Sequence, residues 1–227
     1  MHTAPVRLIT VSREFGAGGS ELARALGERL AWPVLDQDIV QRVATRMQLD
    51  AGTVERFDEH PPSLLARIAT VLIVPQPDSY SFPTASEVPD HDTIARATRR
   101  VIEEAATTLP LIVVGHGAQC IFGERPEALH VRVVAPLSAR VRLIVARMRV
   151  DPTFAMTLAR RADHDRQTYM QRYFHQDWRN ELMYDLQINT GRMSIADAAE
   201  LVADVVKRRE LVATEHLSSQ SNPAPSD

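Results

Sequence analysis

A short β-branched run, Arg7-Leu-Ile-Thr-Val-Ser12, leads into a glycine cluster, Gly16-Ala-Gly-Gly19, and then into a helical pattern from Ser20 to Leu30. The run reads as a strand buried on both faces, as in a parallel sheet. Leu22, Ala23, Leu26 and Leu30 share one side of the helix. A strand that turns through glycines into a helix gathers backbone N–H groups and the positive end of the helix dipole at one point, which is the context of a phosphate-binding loop. Gly16, Ala17, Gly18, Gly19 and Ser20 are therefore the first candidate site, with the Ser20 hydroxyl placed to reach a Mg²⁺ ion. The alternative is a tight strand-to-helix turn that holds no ligand.

The loop lacks the lysine of the pattern G-x-x-x-x-G-K-[ST]. With Ser20 at the last position, Gly19 falls at the lysine and Arg13 at the first glycine. Composition sharpens this. Of 26 basic residues, 25 are arginine and one, Lys207, is lysine. Lys207 lies beside Arg208 and Arg209 in the last helical pattern and reads as a solvated charge. Any chemistry here that needs a loop cation must draw on arginine. A lysine-rich nucleic-acid tail is excluded, and a net charge of -3 gives no global reason to bind nucleic acid.

Strand and helix patterns alternate through the rest of the chain. Strands are expected at 33–36, 111–115, 129–134 and 186–189. Helices are expected at 38–47, 51–57, 63–74, 91–107, 138–149, from Pro152 to about Phe174, and at 195–209 with Ser194 as its cap. This predicts an α/β fold of three layers, a parallel sheet of about five strands flanked by helices. Five of the nine glycines lie in two turns, after Ser12 and after Val114, at the strand ends where such sheets bind ligands. Residues 61–89 hold six of the 14 prolines and read largely as loop. From Ser218 the chain is Ser/Pro/Asn-rich and reads as a disordered tail. The single Cys120 excludes an internal disulfide framework. No apolar run approaches the ~20 residues of a membrane helix, and no secretory leader is evident, so a cytoplasmic protein without a membrane partner is the default.

The stretch Ile9-Thr-Val-Ser-Arg-Glu-Phe-Gly-Ala-Gly-Gly-Ser20 resembles the opening of the cytidylate kinase-like proteins, a divergent branch of the P-loop nucleoside monophosphate kinases. The likeness continues at Pro33–Asp36, Val113–Ala118, Asp163-His-Asp-Arg166, Tyr173-Phe174, Asp177-Trp178 and Tyr184–Thr190, and spans roughly residues 7–207. It implies a single P-loop kinase-like domain over 1–217, with a helical acceptor-binding insert at about 38–107 and an arginine-rich lid at about 150–180. It also implies ATP with Mg²⁺, and CMP or dCMP as the acceptor.

The same resemblance suggests site residues. Asp36 and Arg42 match the family's acceptor-binding Asp and Arg, though a helix cap and a solvated arginine are the bland alternatives. His116, in Gly115-His116-Gly117, stands where conventional enzymes carry an arginine, and reads either as an acceptor contact or as a packed loop histidine. Residues 140–172 carry eight arginines against three aspartates. The resemblance makes this the lid, with Arg160, Arg161 and Arg166 as candidates for the transferred phosphoryl group and Arg166 favoured by the Asp-x-x-Arg match. A basic solvated helix face is the alternative. Arg13, just before the loop, is the candidate for the missing cation. Three readings compete: an active kinase of a nucleoside monophosphate or another small molecule, a nucleotide-binding or sensor module without transfer activity, and an interaction protein on a P-loop scaffold.

Overall fold

A computed structural model describes residues 4–36, 91–108 and 110–220. Five strands, β1 (Leu8–Arg13), β2 (Val34–Leu35), β3 (Leu111–Val114), β4 (Ala128–Val134) and β5 (Leu186–Asn189), form one parallel sheet in the order β2-β3-β1-β4-β5. Six α-helices are described: α1 (Gly19–Leu30), α2 (His91–Ala105), α3 (Ala118–Ile121), α4 (Leu137–Met148), α5 (Pro152–Phe174) and α6 (Ile195–Gln220). The chain leaves β1 toward β3 and β2, and leaves β4 toward β5. The direction reverses between β1 and β4, and the crevice at the carboxyl ends of these strands is where such a sheet receives ligand.

On one face of the sheet Ile9, Val11, Val131, Val133 and Ile188 pack against Leu22 and Leu26 of α1 and Ala198, Val202 and Val206 of α6. This is the apolar stripe expected of Ser20–Leu30. The other face is mixed: Leu8, Leu111 and Val113 are buried on it beside polar residues. Thr10 and Ser12 of β1 and His130 and Arg132 of β4 alternate onto it and are buried. Polar side chains satisfy one another there: the Trp178 indole N–H donates to Ser12 Oγ at 2.9 Å, the Tyr184 hydroxyl donates to the Trp178 carbonyl at 3.0 Å, and Thr10 Oγ1 lies 2.7 Å from His130 Nδ1.

Local signals set the helix ends. Asp151 accepts from the N–H groups of Thr153 (2.7 Å) and Phe154 (3.3 Å) and caps α5, with Pro152 at its first position. Ser194 Oγ accepts from the Asp197 N–H at 3.1 Å and donates to Asp197 Oδ2 at 2.7 Å, a reciprocal cap at the expected residue. The last helix runs to Gln220, past the expected end at Arg209 and into the segment read as tail. The Arg208-Arg209 pair resembled a basic helix terminus, but Glu210–Ala213 continue with residues mostly suited to a helix. Two elements, α3 and a 3₁₀ turn at Glu181–Met183, were not anticipated, being too short to show a period.

The chain divides into two compact units, residues 1–34 with 110–227, and residues 35–109. In the second unit α2 buries Ala97, Val101 and Ile102 and carries an exposed Arg99–Glu103 pair at 2.8 Å. The helices expected at 38–47, 51–57 and 63–74 lie outside the described residues, as does Arg42.

Candidate functional site: a gripped phosphate loop

The loop after β1 turns through Gly16 (φ 78°) and Gly18 (φ 84°), both in the left-handed region that other residues enter at a cost. Ala17 N–H donates to Glu14 O at 3.1 Å, and α1 starts at Gly19. Gly18 precedes the helix and brings no side-chain cap. The Leu22 N–H finds Gly18 O at 2.9 Å, but the amides before it have no acceptor within the helix. Such a terminus favours an anion. Ser20, exposed in this first turn, puts a hydroxyl beside them. Among the described residues no three His, Cys, Asp or Glu side chains converge on a metal. A divalent ion at Ser20 would therefore draw most of its ligands from phosphate oxygens and water, as Mg²⁺ commonly does.

Arg13 explains the glycine at the lysine position. Its side chain is buried, with 9% of the residue exposed, and runs beneath Gly19. A Cβ added at residue 19 would lie 2.5 Å from Arg13 Cβ and 2.7 Å from its Cγ. Further out, the guanidinium lies against Gly115, with Cζ 3.1 Å from the position of a Cβ there. The cation thus spans from the loop after β1 to the turn after β3. That turn is unusual: Gly115 (φ 81°), His116 (φ 56°) and Gly117 (φ 70°) are all left-handed. For His116 this costs roughly 1–2 kcal/mol, the kind of local strain that gathers at functional sites.

The loop backbone is held by side chains from distant elements. Asp163 of α5, 8% exposed, accepts the Phe15 N–H at 2.8 Å through Oδ1 and Arg140 Nη1 at 2.7 Å through Oδ2. Arg140 of α4 donates to Phe15 O at 3.1 Å and Ala135 O at 3.0 Å, and its Nε lies 3.4 Å from Glu14 Oε2. Arg166 donates to Arg13 O at 3.1 Å, lies 3.6 Å from Asp163 Oδ1, and covers the Phe15 ring at 5.7 Å. Burial, opposed by Asp163 and reinforced by Arg140, holds the Arg166 pKa below its ordinary value. Thr190, after β5, donates to Ala17 O at 2.7 Å. The peptide groups of 13, 15 and 17 are thus fixed before any ligand arrives, which is the preorganisation a phosphate cradle needs. Glu21, in the first turn of α1, is ion-paired with Arg147 of α4.

The structure brings Arg13, Gly16, Ala17, Gly18, Gly19, Ser20 and Arg166 together, with His116 in the neighbouring turn. Arg166 faces the loop backbone. Arg161 is not brought in: it is 81% exposed on α5, 4.0 Å from Asp165 Oδ2. Asp36 directly follows β2 and lies at the start of the second unit, one residue after Leu35. Sequence reasoning missed Arg140, Arg147 and Glu21, which carry no motif. Asp163 and Thr190 stood in recognisable stretches, but their grip on the loop depends on contacts more than a hundred residues away in sequence.

A parallel sheet in this order, with a glycine loop joining β1 to a helix that begins at the loop, is the P-loop architecture of nucleotide and small-molecule kinases. The chain belongs to the cytidylate kinase-like family, whose profile matches residues 8–192. No curated protein matches it. Among solved structures, an uncharacterized protein from Eubacterium ventriosum superposes with a TM-score of 0.65 at 18% identity, over 88% of this chain and 98% of that one. Shikimate kinases from Bacteroides thetaiotaomicron (TM-score 0.49, 13% identity, 90% and 99% covered) and from Acinetobacter baumannii, in complex with shikimate (0.47, 13%, 91% and 96%), are more distant. Among the described residues no helix is long and apolar enough to cross a membrane.

Proposed function

We propose that this protein transfers the γ-phosphoryl group of ATP to a small acceptor, with CMP or dCMP first among the candidates. One observation carries the reading. Where a conventional loop has glycine at 13 and lysine at 19, this chain has arginine at 13 and glycine at 19, and the Arg13 side chain fills the space a residue-19 side chain would need. The exchange keeps one cation and one vacancy. It makes sense if a cation is required between the strand ends, and arginine stays charged at any working pH.

Phosphoryl transfer asks mainly for positioning and charge neutralisation. In this reading the N–H groups of Gly16–Ser20 hold the donor phosphates and Arg13 neutralises charge on the β- and γ-phosphates. Mg²⁺ delivered with ATP would meet the Ser20 hydroxyl and add charge neutralisation there. Asp36, Arg42 and His116 are assigned to the acceptor. Arg166 positions the loop through the Arg13 carbonyl, and Arg161 reaches the phosphoryl group only if the α4–α5 end closes. The reading is of a cytoplasmic enzyme with nucleotide partners.

A second reading, binding without transfer, rests on the missing loop lysine, the cation that conventionally bridges the β- and γ-phosphates. ADP release from Mg-ATP, measured with CMP, dCMP, UMP, AMP and GMP, decides between them. Turnover with any acceptor supports transfer. No turnover, with thermal stabilisation by ATP, refutes transfer to a nucleoside monophosphate and favours the sensor. No stabilisation by ATP or CMP refutes both and leaves a scaffold.

A further inference from the structure

Arg132 is a charged side chain in an unexpected place. It lies on the mixed face of the sheet, paired in register with Ser12 of β1 and Gln187 of β5, and is 6% exposed. Its guanidinium covers the rings of Trp178 (5.2 Å) and Tyr184 (5.6 Å). Nη1 donates to Arg179 O at 3.2 Å and to Gln187 Oε1 at 3.4 Å. Its Nε is buried with no hydrogen-bond partner, and among the described residues no carboxylate pairs with it. Arg140, equally buried, shows the contrast, with Glu14 and Asp163 both beside it. A buried cation without a counter-charge is costly. Neutral acceptors and two aromatic faces offset that cost in part.

Arg132 borders an open cavity of about 570 Å³ between β4, α5 and the 178–181 turn, also lined by Arg160, Arg179, His164, Gln167 and Trp178. The volume is that of a small-molecule site. Among the described residues Arg132, Arg160 and Arg179 make no ion pair, whereas Arg140 holds two of the three lining carboxylates, Glu14 and Asp163; the third is Glu181. Planar guanidinium forks suit phosphate oxygens.

We infer that this cavity is a second ligand site, distinct from the phosphate loop, that takes a small phosphorylated molecule with its phosphate on Arg132, Arg160 and Arg179 and its body against Trp178. The inference does not depend on the proposed transfer activity. Arg140 and Asp163 also border the cavity, so an occupant lies directly behind the side chains that grip Phe15.

The chain has two tryptophans, so a Trp32→Phe background leaves Trp178 as the reporter. Titrating this protein with inorganic pyrophosphate at constant ionic strength should give a saturable change in Trp178 emission. Arg132→Met should weaken the apparent affinity at least tenfold, and Arg160→Ala and Arg179→Ala, both exposed positions, about threefold or more each. Arg13→Met, in the loop, should leave the response in place. A response that does not saturate, or that is equal in Arg132→Met and parent, overturns the inference. So does one lost in Arg13→Met but kept in Arg132→Met, which assigns the anion to the loop alone. If Arg132→Met does not fold, the two alanine variants decide: unchanged affinity in both refutes the site.

Discussion

Replacing Gly19 by lysine would complete the conventional loop pattern, yet it should damage this protein. The new Cβ would stand 2.5 Å from Arg13 Cβ and 2.7 Å from Cγ, about an ångström inside ordinary contact, and the Arg13 stem is buried. Overpacking of this kind costs about 1–3 kcal/mol, or roughly 2–12 °C in Tm for a chain of this size. Arg13→Gly alone removes the cation and, by analogy with the loss of one charge-stabilising group, should lower kcat about 10²–10³-fold. The double variant, Arg13→Gly with Gly19→Lys, vacates the space and fills it from the other side. Its Tm should return to within a few degrees of the parent, and its kcat should exceed that of Arg13→Gly at least tenfold. Thermal unfolding and ADP release measured on all four proteins form a double-mutant cycle. A double variant no better than the sum of the two singles, or an Arg13→Gly protein with full turnover, would refute the reciprocal exchange.

Other expectations are simpler. Asp163→Asn leaves the buried Arg140 guanidinium with Glu14 alone and takes the carboxylate from the half-buried Arg166, and should cost about 3 kcal/mol in urea unfolding. Thr190→Val removes the hydrogen bond to Ala17 O and should cost about 1 kcal/mol, with a rise in KM for ATP larger than any change for the acceptor. Burial, and secondarily Tyr173, pushes the Tyr169 hydroxyl up to about 12. Its contribution to stability is therefore complete below about pH 10, the ordinary tyrosine value, and falls as pH rises toward 12. Tyr169→Phe should flatten the decline of Tm over that window, and tyrosinate absorbance should show a late-titrating group. A parent protein whose tyrosines all titrate near 10 while folded contradicts it. Arg161→Ala should leave Tm unchanged, because the side chain is exposed, and should lower kcat only if the α4–α5 end closes in turnover.

The strands, the loop and most of the described helices could be read from the sequence because they depend on local pattern: runs of β-branched residues, glycines at two turns, Pro152 at a helix start and a cap at Ser194, whereas the strand order and the Asp151 cap came only with the structure. The grip on the loop could not be read. Asp163 and Arg140 are ordinary polar residues on amphipathic helices until α4 and α5 pack back on Phe15. The buried-on-both-faces reading of β1 holds along the whole strand, with Thr10 and Ser12 buried on the face opposite Ile9 and Val11; their polarity marks where that face carries hydrogen-bonded side chains. Arg13 was legible as a candidate, yet its relation to Gly19 is a fact of volume that spacing alone does not express.

The long helix α5 has a mechanical consequence. At about 1.5 Å per residue, its 23 residues make a beam of roughly 34 Å. One end carries the α4–α5 turn, and near the middle Asp163 is pinned to Phe15. A rigid beam pinned at its middle and held again further along, where Met170 is buried, cannot swing its tip without pulling on the pin. Any closing movement must therefore bend α5 between the turn and Asp163, or else travel through Asp163 into the loop backbone itself. In the second case the arrival of the tip and the tightening of the cradle would be one motion, driven from a helix that carries no part of the glycine loop.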